Sequence, residues 1–193
     1  MDLISKRIAE SIVVKQKILN DGNLIALIER AANMIIDCYK QNHGKIFFAG
    51  NGGSAADAQH LAAELESRFY FEREALASEA LNTNSSVITA IGNDYDFNRI
   101  FARQIEANAS KGDVFVGLST SGNSKNIVEA LNISRAKGLK TIGLTGESGG
   151  KMENLCDIII KVPSKDTPRV QESHIMIGHI ICEIVEGELF GNK

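Results

Sequence analysis

The chain is poor in the features that mark stiff linkers, membrane spans and disulfide frameworks. It has two prolines, so it offers no rigid proline-rich linker. No apolar run approaches the length that a membrane span requires. The three cysteines lie far apart within apolar patterns, which indicates buried free thiols in a reducing compartment and no thiol chemistry; they are Cys38, Cys156 and Cys182.

Charge and length narrow the functional class further. The net charge is −3 with no basic stretch to offset it, so nucleic acid is not expected as a main partner. Residues 1–17 mix charged and apolar positions, so we expect no signal peptide and a cytoplasmic protein. At 193 residues, with 44% of them apolar, the chain can bury the core of a single domain, 1–193.

The most informative stretch is a hydroxyl-rich turn between a predicted strand and a predicted helix. The apolar run 114–118 is typical of a buried parallel strand, and Ser124 stands at the N-cap position of the helix that follows. The turn carries four hydroxyl groups, on Ser119, Thr120, Ser121 and Ser124. Free backbone N–H groups and the helix dipole favour an anion there. An ordinary polar turn is the alternative, but so many hydroxyls around Gly122 favour phosphate binding.

A glycine-rich turn follows the first predicted strand, 45–49. Its glycines permit close approach of the backbone to a ligand. The turn consists of Gly50, Asn51, Gly52, Gly53 and Ser54. It lacks the G-x-G-x-x-G spacing of a dinucleotide site, so a nucleotide cofactor is not favoured.

The helix after this turn carries Asp57, His60 and Glu64. His60 and Glu64 are four positions apart and share one helix face. That spacing can bring an imidazole and a carboxylate to one metal ion, or position a general base. A solvated surface pair is the commoner cause of such spacing, but the ligand turn before the helix favours a functional role.

Strands and helices alternate through the rest of the chain. The predicted strands are 45–49, 76–81, 114–118, 140–144 and 157–162. This alternation predicts a doubly wound α/β fold, with a five-stranded parallel sheet flanked by helices on both faces. The glycine-rich and hydroxyl-rich turns then meet at the carboxyl edge of the sheet.

Two helices precede the first strand, which is more than a doubly wound sheet requires. The first spans about 2–19 and places four apolar side chains near one face, those of Ile4, Ile8, Ile12 and Leu19. We predict that this N-terminal extension, 1–22, packs against another subunit.

Two other segments offer candidate polar residues. A helix at 85–91 is expected to end at Gly92, where Asn93 and Asp94 could stabilise a turn or bind sugar hydroxyls. The last predicted helix, about 170–190, carries Gln171, His174 and His179. A core or solvated imidazole with one hydrogen bond is favoured for His174 and remains an alternative for His179.

Together these motifs resemble the phosphoheptose isomerases, which are SIS (sugar isomerase) domain proteins. The segment 49–65 is similar to the first motif of that family, and 92–94, 118–124 and 167–174 extend the match in order. The resemblance covers essentially the whole chain, the N-terminal helix included. It implies a homotetramer with active sites near the subunit interfaces. Pro168 departs from the family pattern and could shift the start of the last helix.

The resemblance implies an activity and a set of site residues. The activity is conversion of sedoheptulose 7-phosphate to D-glycero-D-manno-heptose 7-phosphate, for lipopolysaccharide or capsule. The implied phosphate ligands are Ser119, Ser121 and Ser124, with Thr120 beside them. The implied contacts to the rest of the sugar are Asn51, Gly52, Gly53, Ser54, Glu64, Asn93, Asp94 and Gln171. Glu64 and His179 are the implied proton-transferring pair. One zinc ion per subunit is implied, on His60, Glu64, Gln171 and His179.

Two tensions follow from these implied roles. If Glu64 binds zinc, its basicity falls, so its metal-binding and proton-transferring roles compete. Gln171 and His179 lie about 12 Å apart along a continuous helix, which is too far for easy convergence on one ion. We therefore predict a site shared between subunits.

Two other functional classes are open at this point. A non-catalytic SIS protein could bind a sugar phosphate as a regulator, as proteins that associate with a replication initiator do, without needing a base or an acid. An amino-sugar isomerase or deaminase is the other possibility. The joint presence of His60, Glu64, Gln171 and His179 favours the phosphoheptose isomerase.

Overall fold

A computed structural model describes residues 2–191. They form a parallel sheet between two layers of helices. The strands are β1 (Ile46–Ala49), β2 (Ser78–Ala80), β3 (Val114–Ser119), β4 (Lys140–Thr145) and β5 (Ile158–Lys161). The α-helices are α1 (Leu3–Asn20), α2 (Gly22–Asn42), α3 (Gly53–Glu66), α4 (Ser85–Asp94), α5 (Ile100–Asn108), α6 (Lys125–Ala136) and α7 (Thr167–Phe190). Short 3-10 helices span Phe97–Arg99 and Gly150–Asn154.

The sheet confirms the predicted doubly wound fold. Its strand order is β2-β1-β3-β4-β5, and every neighbouring pair is parallel. Side chains alternate across the sheet, so Ile46 and Phe48 of β1 join the core under α2, α3 and α7, whereas Phe47 and Ala49 join the core under α5 and α6. Burial of each large apolar side chain contributes about 1.5–3 kcal/mol, so both faces need their helices.

Three element boundaries differ from the sequence-based expectation. The predicted stop at Gly92 is wrong, because α4 continues through Asn93 to Asp94. A glycine inside a helix costs about 1 kcal/mol, which capping by Asn84 and packing on α5 offset. Strand β2 covers three residues instead of 76–81. Helix α7 begins at Thr167, with Pro168 in its first turn, where no backbone N–H partner is needed.

The cysteines match the expectation in two of three positions. Cys38 and Cys182 are buried, whereas Cys156 is only half-buried, because it lies in the turn between the second 3-10 helix and β5. All three thiols are free, and burial raises the pKa of each to about 12, so they stay protonated and unreactive. Among residues 2–191, no helix is both long and apolar enough to cross a bilayer.

Helix α1 lies on the outside of the α2–α7 layer. Val14 and Ile18 are buried, and they anchor the helix on the core. The four side chains predicted to share a face are exposed in the single chain: Ile4, Ile8, Ile12 and Leu19. An apolar face of this size leaves considerable apolar surface in contact with water.

Candidate active site

The turns after β1 and β3 lie next to each other at the carboxyl edge of the sheet. These strands are neighbours, with Phe48 paired to Val116 and Ala49 to Gly117, so their C-terminal ends are level. In parallel sheets ligands bind at this edge. The prediction that the glycine-rich turn and the hydroxyl-rich turn meet there is confirmed by the sheet order.

The turn after β3, residues 119–124, is called the serine loop below. The Ser119 and Ser124 hydroxyls lie 2.9 Å apart and hydrogen-bond each other. Ser124 occupies the N-cap of α6 as predicted, but its side chain makes no capping bond to the helix. Gly122 has φ +65, and a Cβ there would lie 2.1 Å from the Gly149 carbonyl oxygen, so only glycine fits. Two hydroxyls at a helix N-terminus give an anion both donors and a favourable dipole.

Two asparagines that were not predicted as a pair from the sequence join the two turns by side-chain hydrogen bonds. Asn51 Nδ2 donates to Asn126 Oδ1 at 2.9 Å, and Asn126 Nδ2 donates to Asn51 Oδ1 at 2.8 Å. Asn126 is buried in the first turn of α6, two positions after Ser124. A buried amide satisfied on both sides holds the turns at a fixed separation. The sequence signal that could have found Asn126 is its position in the first turn of the helix that follows the serine loop.

Helices α3 and α7 bring three candidate residues together further along α3 from the glycine-rich turn. His60 Nε2 lies 2.9 Å from His179 Nε2 and 3.0 Å from Glu64 Oε1. One donor atom from each of His60, Glu64 and His179 falls within 4.8 Å of the others. We call these three residues the histidine cluster. Two imidazole nitrogens and a carboxylate oxygen at this separation can hold a divalent metal ion, and nitrogen and oxygen donors of this kind suit zinc.

The cluster depends on the close parallel packing of α3 against α7. A Cβ on Gly178 would lie 2.5 Å from Leu61 Cδ2, so the helices approach closely where the glycine faces Leu61. His60 and His179, which adjoin these residues, are thereby brought into contact although they lie 119 positions apart. Glu64 is the more sheltered member, with 20% of its side chain exposed against 51% for His60.

Gln171 lies elsewhere on the same helix pair. Its Nε2 is 3.5 Å from Ser54 Oγ, and a Cβ on Gly53 would lie 2.5 Å from that Nε2. Ser54 precedes His60 by six positions, about 9 Å along α3. Three of the four implied zinc ligands therefore meet within one chain, whereas Gln171 lies against the glycine-rich turn.

Two further titratable groups on these helices are sheltered from solvent, His174 fully and Asp57 in part. His174 is buried and donates from Nε2 to the Thr145 carbonyl at 3.1 Å, and burial lowers its pKa to about 4. The expectation of a core imidazole with one hydrogen bond is confirmed. Asp57 Oδ2 is buried without a hydrogen-bond partner, and desolvation raises the pKa of Asp57 to about 6 although His60 opposes the shift.

Asn93 and Asp94 stand apart from these contacts. Both are exposed at the end of α4, and Asn93 Nδ2 donates to Asp94 Oδ1 at 2.8 Å. Helix α4 packs on α5 and on the 3-10 helix Phe97–Arg99. Their implied sugar contacts stay a prediction.

Comparisons with known proteins agree with this geometry. The SIS domain family matches residues 13–146. A phosphoheptose isomerase of Aneurinibacillus thermoaerophilus is 58% identical over 192 residues, covering 100% of this chain and 96% of the relative. Phosphoheptose isomerase 2 of Campylobacter jejuni is 60% identical, covering 97% of this chain and 93% of the relative. A solved phosphoheptose isomerase from Neisseria gonorrhoeae has a TM-score of 0.89 at 41% identity, covering 95% of this chain and 97% of that one.

The family model, the identity over nearly full length and the shared fold all lead to the same assignment. The departure at Pro168 leaves α7 and the serine loop intact. This chain belongs to the phosphoheptose isomerase family of SIS-domain proteins.

Proposed function

We propose that this protein is an isomerase that converts sedoheptulose 7-phosphate to D-glycero-D-manno-heptose 7-phosphate. The observation that carries the proposal is the histidine cluster, in a chain about as long as its phosphoheptose isomerase relatives. A regulator that only binds a sugar phosphate needs the serine loop but has no use for this cluster. The relatives do not favour that alternative.

The reaction moves hydrogen between two neighbouring carbons with no net gain or loss. A base removes a proton from the hydroxyl-bearing carbon beside the ketone, and the carbonyl oxygen gains a proton, which gives an enediol. Return of a proton to the former carbonyl carbon, with loss of one from the neighbouring oxygen, gives the aldose. Glu64 is assigned as the base because it is a sheltered carboxylate, and His179 as the acid because a ring nitrogen of an imidazole can donate a proton.

The substrate is held at both ends in this assignment. The serine loop, with Thr120 and Ser121 beside the Ser119–Ser124 pair, binds the phosphate at the N-terminus of α6. The sugar chain extends over the glycine-rich turn, where Gly52 and Gly53 are exposed and Ser54 and Gln171 supply polar groups. Asn93 and Asp94 complete the sugar site in this proposal.

Zinc is the metal that we assign to the histidine cluster. His60, Glu64 and His179 would hold it, since two imidazoles and a carboxylate form a common zinc ligand set. The ion would act as a Lewis acid that polarises a carbonyl oxygen when bound. Glu64 would be a weaker base while it held a cation, so its metal-binding and proton-transferring roles compete.

Assembly as a cytoplasmic homotetramer is part of the proposal. The exposed apolar face of α1, with Ile4, Ile8 and Ile12, is the surface that supports it. A variant lacking residues 1–20 should lose the native oligomer in sedimentation velocity. An unchanged oligomer would reject the assignment of α1 to the subunit interface.

Direct turnover tests the function. The full chain is incubated with sedoheptulose 7-phosphate, and the product is followed by NMR, because substrate and product have the same mass. We expect the aldoheptose 7-phosphate to form, and to form more slowly after chelation. Binding of the sugar phosphate with no isomerisation, with or without added zinc, would establish the regulatory alternative instead.

A further inference from the structure

Behind the histidine cluster lies a buried ion pair that no role above uses. Arg73 Nε donates to Glu186 Oε1 at 2.9 Å, and each side chain is only 1% exposed. Arg73 follows α3 and Glu186 lies on α7, seven positions after His179. Burying two charges is costly unless further hydrogen bonds satisfy both, so the remaining partners of this pair show what it organises.

Glu186 binds the backbone of a short loop. The N–H groups of Phe69, Tyr70 and Phe71 all donate to its carboxylate, the first at 2.8 Å and the last at 3.0 Å. Burial acts to raise the pKa of Glu186, but these three donors and Arg73 hold it below its ordinary value. Three successive N–H groups directed at one carboxylate fix the path of the loop.

Arg73 binds the end of α3. Its Nη2 donates to the Glu64 carbonyl at 2.8 Å, and its Nη1 donates to the Leu65 carbonyl at 2.8 Å. These carbonyls belong to the last turn of α3, where acceptors lack partners within the helix. The guanidinium therefore caps the turn that carries the Glu64 side chain.

The loop fixed by Glu186 also reaches His179. The Phe69 ring lies 5.8 Å from the His179 ring between centroids, and Tyr70 packs edge-on against Phe69 at 4.4 Å. One carboxylate thus holds the loop that supports the His179 imidazole, and its cationic partner holds the helix end that supports Glu64.

We propose that Arg73 and Glu186 are positioning residues, which set the Glu64 carboxylate and the His179 imidazole relative to each other across α3 and α7. The inference rests on the proposed function for its catalytic consequence only. The geometric part concerns the metal-free protein and is measured without substrate. Failure of the isomerase assignment is therefore distinguishable from failure of this inference.

The first test reads the imidazoles directly. The chelator-treated full chain is labelled with 13C-histidine, and the Cε1–H signals of its four histidines are recorded at one pH. In Glu186→Gln the signals of His60 and His179 should shift, whereas those of His43 and His174 should stay in place. The matched control is Glu188→Gln, which removes a charge two positions along α7 where Glu188 pairs with Lys40 at 2.8 Å. It should leave all four signals unchanged.

The second test is kinetic. We expect kcat of Glu186→Gln to fall on the order of tenfold to a hundredfold, with little change in KM, because a small misplacement of catalytic groups lowers the rate of the chemical step. Glu188→Gln should turn over like the wild type. A pair that only stabilises the fold would lower the melting temperature and leave the His60 and His179 signals and kcat unchanged, and that result would overturn the proposal.

A variant that fails to fold is recognised by the loss of the His174 signal, which reports the buried core. Two milder variants then decide the question. Arg73→Lys keeps a cation opposite Glu186 but has no fork to reach the Glu64 and Leu65 carbonyls. Phe69→Leu removes only the ring beside His179. If folded Arg73→Lys leaves the His60 signal and kcat unchanged, and Phe69→Leu does the same for His179, the inference is rejected.

Discussion

The serine loop and the histidine cluster, which we propose to be two halves of one site, are built by the fold in different ways. The serine loop joins β3 to α6, so neighbouring residues in the sequence supply its hydroxyls and its helix N-terminus. The histidine cluster joins side chains 119 positions apart, and it exists only while α3 and α7 keep their register. The first half is therefore encoded locally, whereas the second depends on packing across the whole α2–α7 layer.

The largest expected effect separates the two halves by removing the carboxylate of the cluster. Glu64→Gln should lower kcat about 10³-fold, because a positioned general base contributes that order of rate. Inhibition by inorganic phosphate should not change, because the serine loop is untouched. Steady-state kinetics with phosphate as a competitor measures both quantities.

The matched control for this variant is Glu66→Gln, at the exposed end of the same helix. It should retain wild-type kcat. Near wild-type turnover by Glu64→Gln would remove the base assignment, and a simultaneous loss of phosphate inhibition would show that the two halves are not separate.

The next effect concerns His174, which joins α7 to the sheet edge beside the serine loop. Its acceptor, Thr145, pairs with Ser119 in the β3–β4 register. The pKa of His174 is lowered to about 4 by burial. In the unfolded chain the His174 imidazole gains a proton below about pH 6.5, whereas in the folded chain it gains one only below about pH 4. The contribution of His174 to the free energy of unfolding should therefore fall by about 3 kcal/mol as the pH drops through this window.

Urea unfolding of the chelator-treated protein between pH 7 and 4 measures this dependence. His174→Gln keeps a donor for Thr145 without a titrating ring, so the fall that His174 contributes should be missing from its pH profile over the same window. Asp57, with its pKa raised to about 6, acts with the opposite sign and is present in both proteins. Identical pH profiles for the two proteins would contradict the assignment to His174.

A third effect concerns the metal, which only the histidine cluster should bind. Zinc at one hundred times its dissociation constant raises the free energy of unfolding by about 2.7 kcal/mol, or about 5–10 °C in melting temperature for a chain of this size. His60→Ala and His179→Ala should abolish this increase. Gln171→Ala should keep most of it, because the three clustered donors remain. Differential scanning calorimetry with and without chelator gives the answer, and equal losses in all three variants would make Gln171 a full ligand.

The same contrast explains what the sequence could predict. Strand spacing and turn chemistry are local. The five strands, their parallel direction and the serine loop are therefore predicted from residues that are neighbours in the chain. The convergence of His60 with His179 is not readable in this way, since it depends on Gly178 letting α7 approach Leu61. The Asn51–Asn126 pair and the Arg73–Glu186 pair were not predicted from the sequence for the same reason, because each partner alone is an ordinary polar residue.

Local signals also fail where packing overrides them. The stop expected at Gly92 does not occur, because α4 gains more from its cap at Asn84 and its contacts with α5 than one glycine costs. The site shared between subunits that the spacing of Gln171 and His179 predicts stays a prediction. Within one chain, parallel α3 and α7 bring together three of the four implied donors and leave Gln171 beside Ser54.

The smallest effect tests whether the serine loop behaves as the local half of the site. Ser124→Ala removes one of the two hydroxyls that hydrogen-bond each other in the free protein, and it leaves Ser119 Oγ in place. A hydrogen bond to a charged group contributes about 1.5–3 kcal/mol, so KM should rise roughly tenfold or more with kcat nearly unchanged. The hydroxyl of the buried Ser134, on the same helix, donates to the Ala130 carbonyl, which makes Ser134→Ala the control for a lost hydroxyl. If KM rises equally in both variants, the serine loop does not bind the phosphate, and the separation of the site into two halves is wrong.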